Sequence, residues 1–116
     1  MCRSKIKGGT VTEKKLYYEG SITIDRSLIE AAEILPGEMV NVLNVNNGAR
    51  IETYVIEGKA GSGDICLNGP SARFFEVGDR LIILSTGLYD EEELRRHTLK
   101  IVELSQGNRI VVKAEG

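Results

Sequence analysis

Arg50-Ile51-Glu52-Thr53-Tyr54-Val55-Ile56-Glu57 reads as a β-strand, being rich in β-branched and aromatic residues. Its side-chain period of two sets Arg50, Glu52, Tyr54 and Ile56 on one face and Ile51, Thr53 and Val55 on the other. Asn47-Gly48, just ahead of it, is a hairpin signal because both residues tolerate positive φ, and Met39 to Val45 supplies the strand that enters the turn.

Working outward, the same pattern of short strands and glycine turns recurs. Upstream, Arg3 to Lys7 is a strand broken at Gly8-Gly9, Thr10 to Glu13 continues it, and strand character returns at Leu16-Tyr17-Tyr18 and Ile22-Thr23-Ile24. Ser27 to Glu30 has capping-box spacing and opens a helix of two to three turns that Pro36-Gly37 stops. Downstream, the glycine-rich loop Gly58 to Gly63 leads to a strand at Asp64 to Leu67 and a turn at Asn68-Gly69-Pro70. The apolar run Arg80 to Leu84 reads as a strand buried on both faces. Asp90 to Arg96 reads as a short exposed helix, acids first as the helix dipole prefers. Leu99 to Leu104 and Arg109 to Ala114 are the last strands. Many short strands with only small helices predict a mainly β chain closed into a barrel, which removes exposed sheet edges.

The chain has 116 residues, 41% of them hydrophobic and 28% charged, which suits one domain spanning 1–116. A formal charge of -2 with acids and bases interspersed predicts no nucleic-acid partner. The N-terminal stretch lacks the apolar core of a secretory signal and no later run is long enough to span a bilayer, so a cytoplasmic protein with no membrane partner is expected. Two cysteines, Cys2 and Cys66, and one histidine, His97, are too few for a disulfide framework, a zinc-type site or His-dependent nucleophilic catalysis, and no metal is expected. Gly58 to Gly63 lacks the Lys-Ser/Thr ending of a phosphate-binding loop and reads instead as a mobile connection.

What remains is a set of reactive types: Ser21 following Gly20, with Lys5, Arg50, Thr53, Tyr54 and Asn68. Taken singly, each has an ordinary structural reading: Gly-Ser and Asn-Gly as turns, Lys and Arg as solvated strand residues, Thr and Tyr as sheet packing. On one strand face, Arg50 and Tyr54 stand about 13 Å apart at ordinary rise, so they meet one small molecule only by leaning together.

Three motifs in order, Tyr18-Glu19-Gly20-Ser21-Ile22-Thr23-Ile24-Asp25, Asn47-Gly48-Ala49-Arg50-Ile51-Glu52-Thr53-Tyr54 and Leu67-Asn68-Gly69-Pro70-Ser71-Ala72, resemble those of the pyruvoyl-dependent aspartate 1-decarboxylases. The resemblance runs from about Lys5 to the Asp90 region. It implies a six-stranded double-psi β-barrel with small helices, a homotetramer, and active sites at subunit interfaces. It also implies that the precursor cuts itself at Gly20-Ser21 into chains 1–20 and 21–116, leaving a covalent pyruvoyl cofactor derived from Ser21. Thr53 then assists the cut, Tyr54 serves as proton donor, and Lys5, Arg50, Thr53, Asn68, Gly69, Pro70 and Ser71 line the substrate site. The implied reaction decarboxylates L-aspartate through a Schiff base to β-alanine and CO2, which feeds pantothenate synthesis. The residue types suit this chemistry: glycine leaves a carbonyl unshielded, a serine hydroxyl can attack it, and Arg and Lys bind carboxylates.

Lys7 stands where the family commonly has histidine, Ala60 where it has arginine, and Pro70-Ser71 where small alanines are usual. Two other readings stay open at this point: the same chemistry on another acidic amino acid, and an uncleaved barrel that acts only as a binding module.

Overall fold

The computed structural model describes residues 1–116 and is dominated by one mixed sheet of nine strands. In chain order these are β1 (Cys2–Thr10), β2 (Glu13–Lys15), β3 (Ser21–Asp25), β4 (Met39–Asn44), β5 (Arg50–Gly58), β6 (Ile65–Asn68), β7 (Arg80–Thr86), β8 (Lys100–Ser105) and β9 (Arg109–Glu115). Two short helices, α1 (Arg26–Ala32) and α2 (Glu91–Leu94), and a 3-10 helix at Gly69–Phe74 complete the chain. No helix is long and apolar enough to cross a membrane.

The strands are ordered β2-β6-β3-β5-β4-β7-β1-β8-β9. Parallel pairs join β3 to β5, β1 to β8 and β2 to β6, and the remaining neighbours are antiparallel. Because β1 runs almost directly into β2, the chain itself links the two sides of this order. Thr12 donates its backbone N–H to the Ile65 carbonyl at 2.9 Å, and β2 then pairs with β6. Alternation places Ile6, Ile22, Ile24, Val40, Val42, Val55, Leu67, Leu81 and Ile83 in a common core, each at most 1% exposed. Phe75, just past the 3-10 helix, joins them, and truncating such a ring costs about 3–5 kcal/mol.

Several elements differ from the sequence expectation, each for a local reason. Gly8-Gly9 does not end the first strand: β1 continues to Thr10 with a register shift between Ile6 and Gly9, and Gly8 has φ +79. The glycines absorb a bulge where a side chain would strike the Leu104 carbonyl. Leu16-Tyr17-Tyr18 is a turn rather than a strand, with Tyr17 94% exposed, so Gly20-Ser21 lies at a loop-to-strand junction. Ser27 does not cap the first helix; Asp25 does, accepting from the Ser27 N–H at 2.8 Å. That helix ends at Glu33 in the left-handed region, before Pro36-Gly37 is reached. In the hairpin only Gly48 takes positive φ, while Asn47 uses its side chain to accept from the Ala49 N–H. β7 is not buried on both faces: Leu81, Ile83 and Ser85 point inward and Ile82 and Leu84 are half-buried outside. The hairpin strands, the last two strands and a short exposed helix with its acids first match the expectation; α2 covers only Glu91–Leu94, and a capping box at Asp90 opens it.

The loop Gly58 to Gly63 is tied down rather than mobile. The buried Asp25 carboxylate accepts from the N–H groups of Gly61 (3.1 Å) and Gly63 (2.8 Å), and the Asn108 amide donates to the Gly63 carbonyl at 2.7 Å. Its inward N–H groups are therefore already occupied by a carboxylate of the chain, which closes the phosphate-loop reading from the structural side.

Candidate active site around the Gly20-Ser21 bond

Strands β3 and β6 build the floor of the site. They pair antiparallel with Ser21 opposite Asn68 and Thr23 opposite Cys66, so these four side chains form a block on one face while Ile22, Ile24, Ile65 and Leu67 fill the core behind. The Asn68 amide donates to Ser21 Oγ at 2.9 Å and to Thr23 Oγ1 at 3.0 Å, and its Oδ1 accepts from Cys66 Sγ at 3.3 Å. Ser21 is 1% exposed and Asn68 3%. Burial, followed by the Glu13 charge, pushes the Cys66 thiol up, so it stays protonated and able to donate.

The segment after β6 closes over the bond. Asn68 ends the strand, Gly69 turns the chain at φ +71, and Pro70 opens the 3-10 helix, where its missing N–H loses nothing. Gly69 packs on the backbone of Tyr18, Glu19 and Gly20, and Pro70 Cδ stands 3.8 Å from where a Gly20 Cβ would lie. Ser71 Oγ donates to the Asn68 carbonyl at 2.8 Å and also approaches the Ser21 carbonyl at 3.5 Å. Gly20, Ile51, Glu52, Thr53, Pro70, Ser71 and Phe74 line a cavity of about 230 Å³ beside the bond.

Strand β5 supplies the wall. Its parallel ladder pairs Ile22 with Val55, and one step back sets Tyr54 beside Ser21 on the same face, with Thr53 beside Gly20. Gly20, Ser21, Thr53, Tyr54, Asn68, Gly69, Pro70 and Ser71 are thus gathered within one chain. Arg50 lies four residues back from Tyr54, about 13 Å along the strand. Lys5 sits on β1, which β5, β4 and β7 separate from β3 in the sheet order. Neither cation hydrogen-bonds Ser21, whose Oγ is held by Asn68. Lys7 is engaged with Glu103 at 3.2 Å, and Ala60 is exposed in the loop at the Asp25 end of β3, away from Ser21. His97, the one histidine, is half-buried, with Nε2 2.9 Å from the Cys2 carbonyl and its ring 4.6 Å from that of Tyr89.

Thr23, Cys66, Glu52 and Phe74 did not stand out in sequence. For the first two a signal existed: alternation along 21–24 and 65–68 sets Thr23 with Ser21 and Cys66 with Asn68. No group of three or more His, Cys, Asp or Glu side chains is arranged to hold a metal ion.

Residues 1–111 match the family model described as aspartate decarboxylase. The chain belongs to the aspartate decarboxylase family. It is 50% identical over 111 residues to the aspartate 1-decarboxylase of Thermoanaerobacter pseudethanolicus, covering 96% of this chain and 95% of that one. It is 54% identical over 110 residues to the aspartate 1-decarboxylase of Listeria monocytogenes, covering 95% and 87%, and 51% identical over 114 residues to that of Heliobacterium modesticaldum, covering 98% and 86%. As a member of the aspartate decarboxylase family, the chain carries the block of Ser21, Thr23, Asn68 and Cys66 within its matched region.

Proposed function

We propose that this protein converts L-aspartate to β-alanine and CO2, using a pyruvoyl group that it makes by cutting its own Gly20-Ser21 bond, and so supplies β-alanine for pantothenate synthesis. The observation that carries this reading is a buried serine hydroxyl, held by the Asn68 amide at 2.9 Å, directly after a glycine at the edge of a cavity.

Self-cleavage follows from the chain's own groups. Ser21 Oγ attacks the Gly20 carbonyl carbon, the C–N bond breaks, and the acyl group passes from nitrogen to oxygen as an ester. Thr53, on the cavity beside Gly20, is the hydroxyl suited to stabilise the oxyanion. Loss of the Ser21 α-proton then expels the Gly20 carboxylate, and hydrolysis of the resulting dehydroalanine releases ammonia and leaves a ketone at position 21. The products are chains 1–20 and 21–116.

The site fits such a group: position 21 is buried, the Asn68 amide and the Ser71 hydroxyl stand beside it as polar neighbours, and the cavity gives a small substrate access. A pyruvoyl group supplies an electron sink for loss of the α-carboxylate. Tyr54, beside position 21, is placed to deliver a proton to the carbon that loses CO2. Asn68, Gly69, Pro70 and Ser71 shape the floor and exclude water.

Lys5 and Arg50 bind the substrate carboxylates in this reading, and a second copy of the chain supplies at least Lys5. Leu43, Ile82 and Leu84 are half-buried on the outer face between β5 and β1, with Met39 exposed nearby, an apolar strip suited to cover by another copy. This supports a homotetramer with shared sites. The circuit β1-β7-β4-β5-β3-β6, closed through β2, supports the six-stranded double-psi barrel.

Denaturing mass spectrometry after purification tests the proposal. The wild type is expected as a 20-residue fragment plus a 21–116 chain with a blocked N-terminus, forming β-alanine from L-aspartate, and Ser21→Ala as an uncut, inactive chain. A persistent full-length wild type that forms no β-alanine refutes it.

A further inference from the structure

Asn68 can face Ser21 with either end of its amide, and the two choices have opposite chemistry. With Nδ2 forward, the amide donates to Ser21 Oγ and leaves the serine proton free to depart; with Oδ1 forward, it accepts that proton and holds it. Ser21 and Thr23 do not decide between these, because a hydroxyl both donates and accepts. The third neighbour does. A thiol is a weak acceptor but carries an S–H to give, so Cys66 favours an oxygen in front of it. Its sulfur lies 3.3 Å from Asn68 Oδ1, while its other acceptor, the Leu67 carbonyl, is at 4.0 Å. With Oδ1 turned to Cys66, one Nδ2 proton reaches Ser21 Oγ at 2.9 Å and the other Thr23 Oγ1 at 3.0 Å, so every polar atom of the amide has a partner.

We infer that Cys66 is a positioning residue: its thiol donates to Asn68 Oδ1 and thereby locks the amide with Nδ2 toward Ser21. The consequence for maturation rests on the self-cleavage reading above. Cys66 is 4% exposed and does not line the cavity, and the side chain it hydrogen-bonds is Asn68, so its route to Ser21 runs through that amide. Burial favours the thiol form at neutral pH, so the S–H is there to donate.

Two measurements test this. In the first, cleavage of freshly purified precursor is followed by intact mass for wild type, Cys66→Ala and Cys66→Ser. Losing one buried hydrogen bond of ordinary worth predicts cleavage about three- to tenfold slower in Cys66→Ala, and Cys66→Ser, whose hydroxyl can donate to Oδ1 but also accepts from a turned amide, is expected between Cys66→Ala and wild type. Cleavage of Cys66→Ala at the wild-type rate, or of Cys66→Ser more slowly than Cys66→Ala, overturns the inference. In the second, the S–H stretch is recorded by infrared spectroscopy in a Cys2→Ser background, where Cys66 is the sole thiol. The band is expected at lower frequency than in the same background with Asn68→Ala, and an unmoved band overturns the inference. This readout does not depend on cleavage, so a wild type that never cuts would refute the self-cleavage reading while the thiol band still decides the role of Cys66.

Discussion

Gly69 lies against the backbone that carries Gly20: a Cβ added to Gly69 would fall 2.8 Å from the Gly20 amide nitrogen and 2.5 Å from the Tyr18 carbonyl oxygen. Gly69 also has φ +71, which L side chains rarely adopt, whereas Gly20 has no positive φ and only Pro70 near its missing side chain. Backbone demand in this region therefore sits at Gly69. Gly69→Ala is expected to destabilise the precursor by more than about 1 kcal/mol and to slow maturation, since both backbone strain and collision push the Tyr18–Gly20 loop away. Gly20→Ala is expected to stay within about 0.5 kcal/mol of wild type. Thermal unfolding of both, in a Ser21→Ala background that stays uncut, measures the contrast.

The Asp25 carboxylate supplies a pH signature. Burial pushes it up, but hydrogen bonds from the Ser27 hydroxyl and the N–H groups of Gly63, Ser27 and Gly61 outweigh burial and hold it below the usual carboxylate range. A lowered folded-state value means stability that is fully present above the unfolded value, about 3.9, and is lost as pH falls through the folded one. Asp25→Asn should therefore cost about 1.5–3 kcal/mol at pH 7, with the gap to wild type narrowing below about pH 4. Urea unfolding at a series of pH values would show it, and a constant gap down to pH 3 would contradict the assignment.

Lys5 separates maturation from turnover. It lies on β1, outside the residues that line the cavity or hold Ser21. Lys5→Gln is expected to cut at the wild-type rate yet lose about ten- to a hundredfold in decarboxylation, the worth of a charge-assisted contact. If sites are shared between copies, co-expressing Lys5→Gln with Ser21→Ala restores part of the activity, because some sites then combine an intact Lys5 with a processed position 21. Absence of any recovery in mixed assemblies would argue against a shared site.

Tyr54 should behave in a related way for a different reason. It stands beside Ser21 on the neighbouring strand, while Thr53 faces the cavity at Gly20. Tyr54→Phe keeps the ring and removes the proton, so kcat is expected to fall by about 10²–10⁴ with cleavage unchanged. Thr53→Val is expected to act one step earlier, leaving a full-length chain on intact-mass analysis and therefore no decarboxylation.

Much of the site was legible because strands obey a period of two. The faces of β5 followed from Arg50 to Glu57 alone, and the burial of Thr53 and Val55 against the exposure of Arg50 and Glu52 agrees with them. Misreadings cluster where tertiary contact overrides local preference. Tyr17 and Tyr18 favour a strand by propensity, yet Gly69 packs against this segment's backbone and the chain turns there instead. Gly8-Gly9 looks like a stop, but the ladder to β7 resumes past the bulge at Gly9 and Thr10 and carries the strand through.

The sequence by itself determined the strand-rich class and the family and singled out the Gly20-Ser21 bond, because these depend on residue types in a fixed order. Only the tertiary structure decided that Ser21 meets Asn68, that Cys66 stands behind it, and that Lys5 stands outside this group. Those relations join residues dozens of positions apart, through pairing partners that no local pattern specifies. The Gly20-Ser21 bond owes its setting to a strand edge, a glycine with no room for a side chain, and an amide oriented from behind.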